Sequence, residues 1–281
     1  MPFATGTRFA ARTFPRLRRA ACLTIVLAGT ACGGASEPQA APTPTPSPLD
    51  ASHWMGHQWN ITNGGMAGVA QGSPANVFLD ANGSLHLRIA NSGGTWTAAE
   101  LFSADNMGFG TYQWQVRGNV YAMDPSTVLG LFPYGPANGV GVDGENEIDT
   151  EFSQWNSTCG CNADFTVYPS TGNRFPGGDS SWTDNFTIAG SGSNLTTVRM
   201  EWSSTRIVFT IMDGLQAVGT TANVLQTQTY TADTVHIPQV PIPVGMNLWC
   251  FQTTPASAQE VTILSFQFVP QATTASGRRA R

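Results

Sequence analysis

Lysine is absent from the 281-residue chain, and charged residues of every kind make up only 11% of it. Between residues 51 and 270 the Lys and Arg content reduces to Arg88, Arg117, Arg174, Arg199 and Arg206, against a clear excess of acids. Nucleic acids and other polyanions are held by clustered cations, so they are excluded as partners. A heavily sulfated or uronic polysaccharide is a poor partner for the same reason. Helical periodicity of any length is also missing, which excludes an α or α/β domain. Cysteine is sparse. Once Cys22 and Cys32 of the leader are set aside, Cys159, Cys161 and Cys250 allow at most one intramolecular disulfide with one thiol over. A metal site at Cys159 and Cys161 would need further ligands that the neighbouring sequence does not offer, so these cysteines read as structural.

What is present is β-sheet. Apolar and polar residues alternate in Leu85–Ile89, Val198–Trp202, Ile207–Ile211 and Val261–Phe268. Turn signals such as Asp80-Ala-Asn-Gly83 and Met212-Asp-Gly214 punctuate the runs as in hairpins. Many short strands, abundant Gly and no internal repeat predict an all-β domain over residues 51–270: a two-sheet antiparallel β-sandwich of jelly-roll type.

The N-terminal segment is of a different kind. Residues 1–32 carry five Arg and no acid, then an apolar run from Ala20 to Ala31 that is too short to span a bilayer. This reads as a secretory signal, with small residues before Cys32. Cys32 as an acylated lipoprotein residue stays open beside simple cleavage, so a lipid anchor there is the one route to a membrane. Residues 33–50 form a Pro-rich extended spacer, and residues 271–281 a small, polar tail read as disordered. The expected location is outside the cell or in its envelope.

Glu147, Asp149 and Glu151 fall at a strict period of two within Glu147-Ile-Asp-Thr-Glu-Phe152. On a strand they share one face, while Ile148, Thr150 and Phe152 face the core. Like charges in a row repel, so a fold has little reason to collect them unless chemistry uses them together. Paired carboxylates are the working groups of glycoside hydrolysis. Two Glu four residues apart have Cα atoms about 13 Å apart and can lean together toward the roughly 5–5.5 Å of a retaining pair. Asp149, shorter and between them, can hydrogen-bond either neighbour. Close carboxylates do not all ionise freely, which leaves one protonated as an acid.

The motif resembles the active-site strand of the family 16 glycoside hydrolases, the group of lichenases, laminarinases, agarases and carrageenases. Flanking segments resemble that family in order: Asp80–Leu87, Ala99–Ser103, Gly108–Trp114, Phe186–Trp202, Ile207–Gly214 and Met246–Trp249. The resemblance implies a concanavalin A-like jelly roll with a carbohydrate cleft on its concave sheet and retaining, endo-acting hydrolysis of β-linkages. It implies Glu147 as nucleophile, Glu151 as general acid/base and Asp149 as the residue orienting Glu147. It puts Gln113 and Gln115 on the cleft side of their strand, where several family members carry Glu and Arg. Phe132, Tyr134, Tyr168 and Trp249 match cleft-lining aromatics. Trp155, continuing the face of Glu147, Asp149, Glu151 and Ser153, should lie at one end of the cleft if the strand stays regular. Glu145 stands where the family often has Trp, which argues against a lichenase-like substrate more than against catalysis. No cofactor is required, a structural calcium ion is left open, and a monomer acting on a neutral polysaccharide such as a β-glucan or galactan is expected. A transglycosylase using the same site, or a carbohydrate-binding sandwich without turnover, is the alternative.

Overall fold

The computed structural model describes residues 50–135, 145–169, 181–190, 192–231 and 235–272. The signal segment, almost all of the Pro-rich spacer, the tail beyond residue 272, Cys32 and Arg174 lie outside these residues. In chain order the strands are β1 (His53–Trp54), β2 (His57–Ile61), β3 (Gln71–Gly72), β4 (Val77–Leu79), β5 (Leu85–Ser92), β6 (Thr95–Ser103), β7 (Gly110–Arg117) and β8 (Thr127–Pro133). The second half adds β9 (Glu147–Phe152), β10 (Ala163–Tyr168), β11 (Trp182–Phe186), β12 (Leu195–Trp202), β13 (Arg206–Asp213), β14 (Val224–Thr231), β15 (Val244–Cys250) and β16 (Gln259–Pro270). Among the described residues the only helices are two single 3-10 turns, Pro74–Asn76 and Val120–Ala122.

Hydrogen bonding follows the order β11-β10-β9-β8-β15-β6-β5-β16-β7-β12-β13-β14. The path doubles over at the β5–β6 hairpin, whose turn residues Gly93 and Gly94 have φ of 59° and 88°. Two successive positive-φ residues suit a tight hairpin whose twist matches its strands, and glycine adopts them without a Cβ penalty. The result is a front layer of β11, β10, β9, β8, β15, β6 and β2 against a back layer of β4, β5, β16, β7, β12, β13 and β14. The curled antiparallel sheet is the expected jelly-roll sandwich.

The core lies between the layers, where the period-two apolar residues of both meet. Phe165 of β10 stacks on Phe209 of β13 with centroids 4.6 Å apart, and Trp59 of β2 meets Phe266 of β16 edge-on at 5.7 Å. Each such fully buried ring contributes on the order of 2–3 kcal/mol of transfer free energy. The alternation read in β16 is real but changes phase: the register slips between Ile263 and Ser265. Val261 and Ile263 point inward before this bulge and Phe266 after it, with Ser265 opposite Gln115 on the outer face.

The Asp80–Gly83 turn joins β4 to β5 as expected, with Asp80 Oδ1 accepting from the amides of Asn82 and Ser84 at 2.8 and 2.9 Å. The Met212–Gly214 signal behaves differently. It opens a longer loop, closed where the Asp213 amide meets the Asn223 carbonyl, and that loop folds back on the outer face of the back layer. Gln113 and Gln115 are the residues that receive it. They donate to the Gln216 carbonyl at 2.8 and 3.0 Å, and Gln113 Oε1 accepts from Arg199 Nε at 2.8 Å. Arg199 also donates to the carbonyls of Ala217 and Thr220. The expected cleft role for Gln113 and Gln115 is therefore corrected. Tyr112, Trp114 and Val116 of the same strand fill the core, which turns the glutamines to the outer surface of the layer that does not carry the acidic strand.

Arg199→Ala should remove these charge-assisted bonds and lower stability by about 2 kcal/mol, read as a fall in the urea midpoint. A change within roughly 0.5 kcal/mol, as at an ordinary surface site, would contradict this anchoring role.

Candidate active site

On β9, Ile148, Thr150 and Phe152 have no exposed surface and point into the core, which leaves Glu147, Asp149 and Glu151 on the opposite face. Residues paired across neighbouring strands share a face, so the register assembles the surroundings. On β10, Asp164, Thr166 and Tyr168 lie opposite Glu151, Asp149 and Glu147 respectively. On the other side Gly130 of β8 lies opposite Glu151, Asn247 of β15 opposite Gly130, and Glu100 of β6 opposite Asn247. A line of polar groups thus crosses the front layer from Asp164 through Glu151, Asn247 and Glu100 to Thr62, whose hydroxyl donates to Glu100 Oε2 at 2.8 Å.

Two glycines make that floor. A Cβ on Gly130 would sit 2.5 Å from Asn247 Oδ1, the atom that accepts the Gly130 amide at 3.0 Å. A Cβ on Gly245 would lie 2.6 Å from the Phe132 ring, which packs edge-on against Phe102 at 5.8 Å. Tyr134 closes this aromatic group, 5.8 Å from Phe102 and 6.2 Å from Phe132.

Burial and mutual repulsion govern the carboxylates. Asp149 is held well above the usual carboxylate range by burial first, then by the charges of Glu147, Glu151 and Asp164, and it shares a hydrogen bond with Glu147. Glu151 is also raised well above its ordinary value, by burial and then by Asp164 and Glu147 in that order. Burial pushes Asp164 up to about 6, opposed by hydrogen bonds from Trp155 and Thr166. Glu100 is raised by burial, against bonds from Thr62 and Asn247. The Tyr168 hydroxyl is pushed far up by burial and by the neighbouring acids, so it stays a neutral donor. The row can therefore hold a proton at neutral pH beside an anionic neighbour, which is what acid-assisted bond cleavage needs.

The expected aromatics reach this layer by different routes. Tyr168 lies beside Glu147, and Trp249 sits on the face of Asn247 two residues further along β15. Trp155 is near the row, but not by continuing the strand. β9 ends at Phe152, and Trp155 and Asn156 take φ of 53° and 49°, a pair of left-handed residues that turns the chain back. The indole then lies edge-on to Trp249 at 6.0 Å and donates to Asp164 Oδ2 at 2.7 Å. The adjoining loop carries a Cys159–Cys161 disulfide, leaving Cys250 buried with its thiol pushed up to about 11 by burial.

Sequence reading missed Asp164, Thr166, Glu100 and Asn247. For Asp164 the signal was available: Ala163, Phe165 and Val167 alternate with Asp164, Thr166 and Tyr168, a half-buried strand with a polar face. Glu100 and Asn247 sit in runs of small and apolar residues and are recognisable only once β6 and β15 are paired.

No family model matches the chain, and no curated protein does. Solved structures do. A Bacillus licheniformis beta-glucanase superposes with a TM-score of 0.55 at 20% identity, over 76% of this chain and 92% of that one. A prokaryotic beta-1,3-1,4-glucanase (lichenase) from a mouse hindgut metagenome gives 0.55 at 20% identity, over 79% and 97%. A structure described as an immunostimulatory antigen and pseudo beta-1,3-glucanase of Mycobacterium tuberculosis gives 0.54 at 18% identity, over 76% and 91%. The domain has the fold of these beta-glucanases.

Acids whose folded pKa is raised favour the folded state below their unfolded pKa, near 4, and lose that contribution as pH rises through the folded value. Asp149→Asn should therefore unfold at a higher temperature than the parent at pH 8, and lose that advantage at pH 4. A parent as heat-resistant as the variant at pH 8 would show that the row carries no electrostatic strain.

Proposed function

We propose that the chain is an exported, endo-acting retaining β-glycan hydrolase of the family 16 type. The observation that carries this reading is the row of carboxylates on one face of β9, assembled on a glucanase-like fold with Glu151 raised by burial and by its acidic neighbours. Glu147 attacks the anomeric carbon and forms a glycosyl ester while the bond to the leaving oxygen breaks. Glu151 gives that oxygen its proton. Water then attacks the anomeric carbon, Glu151 takes the water's proton, and the bond to Glu147 breaks, so configuration is retained overall. Asp149, hydrogen-bonded to Glu147, orients the nucleophile. The scheme consumes no cofactor.

The scarcity of cations favours a neutral polymer, a β-1,3/1,4-glucan or galactan, and a sugar acceptor in place of water would make the same site a transglycosylase. Trp155, Trp249, Tyr168 and Tyr134 would supply apolar surface for sugar rings, while Phe132 is buried beneath them and does not. The signal-like leader supports export, with Cys32 as the candidate anchor. A second reading, a carbohydrate-binding sandwich without turnover, has one observation in its favour. A protein described as a pseudo beta-1,3-glucanase shares the fold, so the fold alone does not confer activity.

Residues 49–281 should release reducing ends from a neutral β-glycan. Glu151→Ala should fail on polymer yet cleave a substrate with a good leaving group, and azide should restore its turnover with a β-glycosyl azide as product. A β-azide from the Glu147→Ala variant together with an α-azide from Glu151→Ala would reverse the two roles. Binding of a β-glycan without any release would favour the non-catalytic reading.

A further inference from the structure

Asp164 is unaccounted for by the scheme above. It is 2% exposed, and it lies directly opposite Glu151 in the β9–β10 register. Like charges in that relation destabilise a sheet. Both carboxylate oxygens are engaged by donors: Oδ2 by Trp155 Nε1 at 2.7 Å and Oδ1 by the Thr166 hydroxyl at 3.1 Å. An indole N–H can only donate, so this clamp favours the anion over the acid. Its other half is a bulky residue in the left-handed region, since Trp155 has φ of 53°. Two unfavourable features, a repelling anion and a strained tryptophan, therefore meet in one contact. An Asn at 164 could accept the indole N–H just as well, so packing alone does not account for a carboxylate there.

We propose that Asp164 is a positioning residue for Glu151: a fixed anion, clamped by Trp155 and Thr166, that keeps the Glu151 carboxyl in its proton-donating form. Among the described residues, the titratable groups facing Glu151 are Glu147 and Asp149 on its own strand, Asp164 and Tyr168 on β10, and Glu100 further across on β6. β8 and β15 present Gly130, Phe132, Asn247 and Trp249, none of which titrates. Among the described residues no cation forms an ion pair with Asp149, Glu151 or Asp164. After burial, Asp164 is the largest influence raising Glu151, ahead of Glu147.

The consequence separates Asp164 from Asp149 and Glu147. When Glu147 becomes a glycosyl ester its charge disappears, and its hold on the Glu151 proton goes with it. Above the value of about 6 to which burial pushes it, Asp164 stays charged through that step. Glu151 then keeps a high proton affinity as it turns from acid to base, which makes it a stronger base toward the attacking water but narrows the pH range in which it is available.

This inference rests on the reading of Glu151 as general acid/base, and its test needs no turnover. In protein carrying carboxyl-labelled glutamate, the Glu151 signal is assigned by its loss in Glu151→Gln and titrated by NMR. Asp164→Asn should lower its midpoint by roughly one pH unit, the effect of removing a close like charge. Trp155→Phe should lower it by less, because a weakened clamp lets Asp164 take up a proton, and this variant carries the test if Asp164→Asn does not fold. If the parent is active, the alkaline limb of kcat/KM should fall to lower pH in step, with the acid limb, which reports Glu147, moving less. An unchanged Glu151 midpoint in both variants overturns the proposal. A shifted midpoint in a parent that cleaves no glycan leaves the Asp164–Glu151 coupling standing and overturns the hydrolase reading instead.

Discussion

Four carboxylates, Glu147, Asp149, Glu151 and Asp164, are held together on one face of a sheet, and much of the surrounding structure can be understood as what makes that tolerable. Burying an acid beside other acids disfavours its charged form, and the fold has to hold the strand in place despite it. It does so from behind. Ile148, Thr150 and Phe152 are locked into the core between the layers, with the Phe152 ring edge-on to Tyr121 at 5.7 Å. A one-residue slip would carry these apolar groups to the face that bears the acids, so register is fixed by burial. The acids stay adjacent because the apolar face of the same strand has nowhere else to go.

The same division of labour extends across the front layer. Gly130 and Gly245 contribute by lacking side chains, which lets Asn247 and Phe132 lie flat on the floor, while the back layer carries the mechanical role. There Arg199, Gln113 and Gln115 tie down the 214–223 loop, a network of amides and one buried cation remote from the acidic row. Left-handed backbone comes up against the acidic row at Trp155, where the chain leaves β9 and turns back toward Asp164.

Strands with unbroken alternation were legible in sequence: Leu85–Ile89, Val198–Trp202 and Ile207–Ile211 lie inside β5, β12 and β13. The acidic row and its facing were legible too, because the period of two specifies a face without any partner. What one strand cannot reveal is which strands lie beside it. Gln113 and Gln115 alternate as cleft residues would, but β7 pairs with β16 and β12 in the back layer, and the outer faces of the two layers look alike in sequence when both carry amides. Trp155 was placed near the row for the wrong geometric reason, since two consecutive left-handed residues without glycine leave little local signal. Asp164, Glu100 and Asn247 gain meaning only from cross-strand register, which depends on contacts far apart in sequence.

In the proposed mechanism Glu147 forms a covalent bond to sugar while Glu151 manages the proton. A 2-deoxy-2-fluoro glycoside with a good leaving group slows the second step more than the first, so it should load the protein with one glycosyl group, seen as a single mass increment. Peptide mapping should place that group on Glu147. Labelling of Glu151, or release of the leaving group with inverted sugar and no labelled protein, would contradict the account.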